Sequence, residues 1–167
     1  MYSSVDISVH ITGSGNEAIT LADNSVTATN IKELTEKTTG TIDANNVQTI
    51  TGSMADILEV YEYQSILKVS GLGNEAITLN DTGSVTARDI KALTEKTNGT
   101  INANNVQTIT GSMADILTVY EYQSNGKVSG LGNEAITLDD AGAVTASDIK
   151  TLFKKTGGTI TAGVASK

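Results

Sequence analysis

Two serines stand in a segment that could support nucleophilic catalysis. Ser53 and Ser112 each follow a glycine in the sequence Gly-Ser-Met-Ala-Asp. A catalytic serine on a sharp turn needs a second glycine two residues further on and a basic partner, and this segment supplies neither. The aspartate three residues after each serine is instead typical of a helix start that the serine caps. We therefore predict helix capping for both serines and no catalytic residue.

The other candidate for proton transfer is His10, the only histidine in the chain. A general base or a metal ligand of this type works together with converging partners, and the chain offers no second histidine and no cysteine. We predict that His10 is a surface or capping residue and that the protein is not an enzyme.

Two further patterns concern cofactors and metals. Gly71-Leu72-Gly73 lacks the third glycine of a dinucleotide-binding loop and precedes a predicted strand, so it predicts a turn. The pairs Asp139-Asp140 and Asn80-Asp81 offer the oxygen ligands that Ca²⁺ prefers, but no EF-hand loop surrounds them. We predict solvated turns, no cofactor and no metal site, and we keep calcium binding as an alternative.

Composition excludes several classes of partner. The net charge is −8 and the isoelectric point is near 4.5, so phosphate backbones and anionic membranes are repelled at long range. No apolar run is long enough to cross a bilayer, and the first residues lack the basic and apolar regions of a signal peptide. We therefore expect no nucleic-acid partner and no membrane insertion.

The strongest pattern in the sequence is internal duplication. Residues 74–124 repeat residues 16–65 with eight substitutions and one inserted residue, so that Ile109 is the counterpart of Ile50. A third copy begins at Asn133 and continues through Lys155. We predict a single domain over residues 1–167, in which each repeat consists of two related halves.

Each half predicts a short strand followed by a helix. In the shorter half, residues 47–51 alternate as a strand does, and an apolar stripe with helical spacing follows Ser53. In the longer half, residues 76–79 predict a strand, and Thr86 caps a helix. The predicted core positions on these helices are Met54, Ile57, Leu58 and Tyr61, their counterparts Met113, Ile116, Leu117 and Tyr120, and Ile90 and Leu93.

Glycines mark the predicted boundaries of these elements. One glycine follows the helix of the longer half in every copy, where we predict a left-handed helix cap; these are Gly40, Gly99 and Gly158. A Gly-x-Gly pair before each Asn-Glu predicts a tight bend; the pairs are Gly13/Gly15, Gly71/Gly73 and Gly130/Gly132.

These units predict an α/β repeat solenoid with short parallel strands and one helix per coil. A unit of about 30 residues cannot bury its own apolar face and must stack on a copy of itself. Strands stack about 4.8 Å apart and helices about 8–10 Å apart, so a curved or superhelical rod is expected. We expect about five coils. They lie near residues 9–40, 41–67, 68–99, 100–126 and 127–158.

Three segments carry a resemblance to a known class of protein. The segments NEAITL (74–79), VTARDIKALTEKTNGTI (85–101) and VQTITGSMADILTVYEY (106–122) resemble repeats that recur many times in very large surface proteins of marine cyanobacteria. The resemblance covers nearly the whole chain and implies an extracellular or cell-surface spacer or array. Copies this similar also fit recent duplication or a consensus-style designed scaffold.

Near-identical copies present the same side chains again and again, whereas catalysis needs one cluster of unlike groups. We therefore predict a non-catalytic structural or surface module. The alternative is a binding module for calcium, a glycan or a peptide along the solenoid face, with Tyr63 and Tyr122 as exposed contacts. Incomplete repeats also leave stackable ends that would permit end-to-end self-association.

Threonine pairs suggest a minor alternative. The strand sequences Thr49-Ile50-Thr51, Thr108-Ile109-Thr110 and Thr159-Ile160-Thr161 resemble those of ice-binding β-solenoids. Ice binding needs a flat threonine array in successive coils about 4.8 Å apart, whereas this sequence predicts such strands only in alternate coils. Threonine is also a good strand former, which explains the pairs without a ligand.

Overall fold

The computed structural model describes residues 15–140 and 144–162, and His10 and Gly13 lie outside these ranges. Short strands alternate with helices along the chain. The strands are β1 (Ile19–Thr20), β2 (Ser25–Thr27), β3 (Ile42–Asp43), β4 (Thr49–Gly52), β5 (Val69–Ser70), β6 (Ala76–Leu79), β7 (Ser84–Thr86), β8 (Ile101–Asn102), β9 (Thr108–Gly111), β10 (Val128–Ser129), β11 (Ala135–Leu138) and β12 (Ile160–Ala162). The helices are α1 (Ala28–Lys37), α2 (Met54–Ser65), α3 (Ala87–Lys96), α4 (Met113–Ser124) and α5 (Ala146–Leu152).

All strand pairs within the described ranges are parallel, which confirms the predicted α/β class. The strands form three sheets. The first sheet has the order β1-β3-β5, the second β10-β8-β6-β4-β2, and the third β12-β11-β9-β7. In the part of the chain that the structure describes, no helix is long and apolar enough to cross a membrane.

The strand register has a simple rule. In the second sheet Val26 pairs with Ile50, Ile50 with Ile77, Ile77 with Ile101 and Ile101 with Val128, so a shorter and a longer step along the chain alternate. The third sheet follows the same alternation. Two such steps lead from Ile50 to Ile101, whereas one sequence repeat leads from Ile50 to Ile109. Equivalent strands of successive copies therefore lie in different sheets, as β4 and β9 do.

The core consists of β-branched and leucine side chains from the strands and of one face of each helix. Ile50, Ile77 and Ile101 are buried at paired positions of neighbouring strands, while the residues on either side of each are more exposed. Because successive side chains of a strand point to opposite faces, these residues form one apolar column on the buried face of the sheet. The predicted helical core positions are buried, except Leu58 and Leu117, which are half-buried.

The predicted helix starts are confirmed. The hydroxyl of Ser53 accepts a hydrogen bond from the Asp56 backbone N–H at 3.1 Å and donates to the Asp56 carboxylate at 2.8 Å. Thr86 accepts from the Asp89 backbone N–H at 3.0 Å. Each cap satisfies an N–H group that the first helical turn leaves without a partner.

The helix-end glycines have a different role from the predicted one. The helix of the longer half ends at Lys37 or Lys96, and its C-cap is an extended threonine, Thr38 or Thr97. The predicted left-handed cap at Gly40, Gly99 and Gly158 was therefore wrong. A Cβ on Gly99 would collide with the carbonyl group of Glu75, so the glycine is needed for close backbone approach.

The Gly-x-Gly bends are confirmed where they are described. Gly71 and Gly73 have φ of 87° and 128°, and Gly130 and Gly132 have φ of 87° and 136°. These values lie in the left-handed region that favours glycine. The turn that follows α2 also has positive φ, at Leu67.

Candidate functional site

A buried tyrosine–glutamate pair connects α2 with the bend that precedes β6. Tyr61 on α2 and Glu75, just before β6, are both 2% exposed. The Tyr61 hydroxyl donates to one carboxylate oxygen of Glu75. The other oxygen accepts from the backbone N–H groups of Gly73 at 2.7 Å and Asn74 at 3.0 Å. The Gly-x-Gly bend thus forms a cradle that satisfies a buried carboxylate.

The same arrangement recurs 59 residues later and again joins one copy to the next. Tyr120 donates to Glu134, which accepts from Gly132 at 2.6 Å and Asn133 at 3.0 Å. Burial, followed by the neighbouring carboxylate, raises the pKa of both tyrosine hydroxyls well above the usual value of 10. A tyrosine with a raised pKa stays a protonated donor, and no substrate could reach it. The pair therefore holds the fold together and is not an acid–base catalyst.

The sequence predicted Tyr61 and Tyr120 as core residues but not their partners. A signal was present, since each tyrosine precedes its glutamate by 14 residues in both copies. The third equivalent position is Glu17, and among the described residues its Oε2 atom is buried without a hydrogen-bond partner.

The capping serines contribute nothing to a nucleophilic site. Both hydroxyls are engaged by the aspartate of their own helix, at 2.8 Å in Ser53 and 2.9 Å in Ser112. Each aspartate also forms an ion pair with a lysine of the preceding helix: Lys32 pairs with Asp56, and Lys91 pairs with Asp115. These lysines hold the pKa of both aspartates below the usual range. An anionic, lysine-paired aspartate caps a helix and activates no serine.

The acidic turns considered for calcium also contact helix starts. The carboxylate of Asp81 accepts from the backbone N–H of Met54 at 2.8 Å, and Asp140 does the same for Met113 at 2.6 Å. Each aspartate reaches the helix from a segment 27 residues later in the chain. Within residues 15–140 and 144–162, no three acidic or histidine side chains are grouped so that they could hold a metal ion.

An open cleft of about 200 Å³ lies between the start of α2 and β7. Its walls include Met54, Leu58 and Val85, and its polar rim includes Asp81 and Asp89. Asp81 is bound to a helix N–H, and Thr86, another lining residue, caps α3. No hydroxyl among the described residues that line the cleft donates a hydrogen bond to a carboxylate that lines it.

The tyrosines proposed as exposed contacts do not form an exposed row. Tyr63 and Tyr122 are half-buried and pack against the core cluster. The Tyr63 hydroxyl donates to Glu59 at 2.6 Å, one turn earlier on the same helix. Both side chains interact with the preceding helix, since Tyr63 lies near Thr35 of α1 and Tyr122 interacts electrostatically with Lys91 of α3. They are poor candidates for gripping a glycan or peptide.

Threonines form a more continuous array than the sequence predicted. In the third sheet Thr110 lies opposite Thr86 on one side and Thr137 on the other, and Thr137 lies opposite Thr161. Thr-x-Thr sequences stand only at β9 and β12 of this sheet, which are separated by β11, but β7 and β11 each add one threonine to the row. Among the described residues, the hydroxyls of Thr110, Thr137 and Thr161 have no protein hydrogen-bond partner.

Comparison with known proteins gives no match: no protein-family model, no curated protein and no solved structure is similar to this chain.

Proposed function

We propose that the protein is a non-catalytic structural module, an α/β solenoid that serves as a spacer or surface array in a cell-surface repeat protein. The strand register carries this proposal. A shorter and a longer step alternate through the second sheet, from Val26 to Val128, and a chain that returns at regular intervals to the same sheet winds as a stack. The resemblance of the repeats to surface proteins motivates the location.

The chemistry of the polar groups supports a structural role. Buried or half-buried polar side chains stabilise helix starts, bends or helix pairs, as Glu75, Asp81 and Asp56 do. The same contacts recur 59 residues later in the chain, at Glu134, Asp140 and Asp115. A catalytic site would need unlike groups converging once, whereas here like groups recur.

A spacer must lengthen in proportion to its number of repeats, and this property is measurable. We would insert a second copy of residues 50–108 after Thr108, which preserves the period of the sequence. Because stacked strands lie about 4.8 Å apart, the long axis should grow by about 11 Å with an unchanged cross-section in small-angle X-ray scattering. Growth of the cross-section without growth in length would overturn the proposal.

A second candidate function, ice binding, gains support from the threonine row of the third sheet. The row comprises Thr86, Thr110, Thr137 and Thr161 on four neighbouring strands, and a flanking row contains Ser84, Thr108 and Ala135. Parallel strands about 4.8 Å apart would present methyl and hydroxyl groups at regular intervals.

Thermal hysteresis and ice recrystallisation inhibition test this second function. We would compare the parent chain with Thr137→Lys and Thr161→Lys, two exposed positions of the row, and with Thr82→Lys, an exposed loop position. Ice binding predicts activity that the row variants lose and the loop variant keeps. Absence of hysteresis in the parent chain eliminates this function without affecting the spacer proposal.

A further inference from the structure

Helix α5 differs from its counterparts along one flank. Ala28 and Ala87, at the first position of α1 and α3, are completely buried, whereas Ala146 at the same position of α5 is exposed. One turn later Ile31 and Ile90 are buried, but Ile149 is half-buried. This side of the helix is therefore covered in α1 and α3 and open in α5.

In α1 and α3 the element that covers this side is the helix that follows in the chain. Helix α2 packs along α1, and α4 packs along α3. Gly52 and Gly111, just before these covering helices, lie against the methyl groups of Ala28 and Ala87, where a Cβ would be crowded. The covering segment is thus a glycine, a capping serine and then an amphipathic helix.

Charge complementarity identifies the same partner. Lys32 pairs with Asp56 of α2, and Lys91 pairs with Asp115 of α4. Their counterpart Lys150 is exposed and has no ion pair in the part of the chain that the structure describes. An aspartate in the first turn of a covering helix would meet it.

One residue on the flank is larger than in the covered copies. Phe153 occupies the position that Thr35 has in α1 and Thr94 has in α3, and it is 63% exposed. Thr35 is half-buried and lies within hydrogen-bond reach of the Tyr63 hydroxyl. A phenylalanine would occupy space that this tyrosine fills in the closed pair.

We propose that the open flank of α5, formed by Ala146, Ile149, Lys150 and Phe153, is a docking site for an amphipathic helix of the α2 and α4 type from a further copy of the repeat. The partner helix follows Gly-Ser, carries an aspartate at its third position to pair with Lys150, and has a side chain smaller than tyrosine at the position of Tyr63. The inference rests on the proposed stacking, because it assigns the next layer of that stack.

A tethered partner tests the site without depending on weak association between molecules. The full chain is compared with a lengthened chain in which residues 104–124 are repeated directly after Ala162, in the register of the preceding copy, with serine in place of the appended copy of Tyr122. The readout is hydrogen–deuterium exchange of the α5 backbone amides. Docking should slow their exchange about tenfold or more, because it covers two apolar groups and pairs a lysine. A scrambled extension of the same composition is the matched control.

A charge exchange then tests the register. Lys150→Asp should remove most of the protection, and replacing the appended copy of Asp115 by lysine should restore it. Phe153→Thr, which recreates the residue found at Thr94, should increase protection by the unaltered extension. Equal protection by the scrambled extension, no protection by the real one, or no rescue by the exchanged pair would overturn the proposal. A chain that still lengthens with an inserted repeat would show that the stack itself stands.

Discussion

The two complete internal copies differ only where the chain meets solvent. None of the eight substitutions between residues 16–65 and 74–124 falls at a buried position. The pairs are Ala22/Asn80, Asn24/Thr82, Thr29/Arg88, Asn30/Asp89, Glu33/Ala92, Thr39/Asn98, Asp43/Asn102 and Glu59/Thr118. The residues of the apolar columns, the tyrosines and glutamates that form the buried pairs, and the crowded glycines are identical in both copies. The comparison separates what the fold requires from what its surface tolerates.

The crowded glycines should be the least tolerant positions. Gly99→Ala would push a methyl group into the backbone of Glu75, and we expect a loss of about 2–4 kcal/mol in the free energy of unfolding, measured with urea. Gly83→Ala is the control, because a Cβ there would meet nothing within 4 Å. Similar losses in both variants would show that close backbone approach is not the reason for Gly99.

The tyrosine–glutamate pair should come next. Tyr61→Phe and Tyr120→Phe each remove the donor to a buried carboxylate oxygen, so each should destabilise the protein by about 1–3 kcal/mol in chemical denaturation. Tyr63→Phe serves as the control, since its hydroxyl binds the partly exposed Glu59. A large difference between Tyr61→Phe and Tyr120→Phe would break the equivalence of the two copies.

The same pair makes a prediction about alkaline pH. The folded state raises the pKa of Tyr61 and Tyr120 above the unfolded value, so their contribution is complete below pH 10 and is lost as pH rises further. Each tyrosine should cost about 1.4 kcal/mol of stability per pH unit above 10. Denaturation of the parent chain and Tyr61→Phe between pH 8 and 12 measures the difference. Parallel pH profiles would refute the assignment.

The loops after α2 and α4 give a smaller and opposite effect. Leu67 has φ of 62° and is 79% exposed, whereas its counterpart Gly126 has φ of 81°. Leu67→Gly should relieve left-handed strain and stabilise the protein by up to about 1 kcal/mol, and Gly126→Leu should destabilise it by a similar amount. Thermal unfolding in a calorimeter would measure both shifts. Destabilisation by Leu67→Gly would mean that the leucine contributes contacts in solution.

The sequence alone predicted the helices, their N-terminal caps and the α/β class, because periodicity and N-capping are local properties that Ser53 or Thr86 reveal without tertiary information. It did not predict that β4 and β9 lie in different sheets. This depends on a small difference in length, because the sequence repeat that leads from Ile50 to Ile109 is longer than the two register steps that lead from Ile50 to Ile101. The threonine row was missed for that reason. The Gly99 and Glu75 contacts were missed because they join backbone segments that are distant in sequence.

The smallest expected effect concerns the exposed ion pairs between helices. Lys32 contacts both Asp56 and Glu59, but Lys91 contacts Asp115 alone among the described residues, because Thr118 replaces the glutamate. Thr118→Glu should recreate the second contact and raise stability slightly at low ionic strength, and the gain should vanish in high salt because exposed charges are screened. Glu59→Thr should produce the reverse change in the first copy. The measurement is urea denaturation at low and high sodium chloride concentration. A gain that persists in high salt would mean that the glutamate acts through packing, and the copies would then differ by more than surface charge.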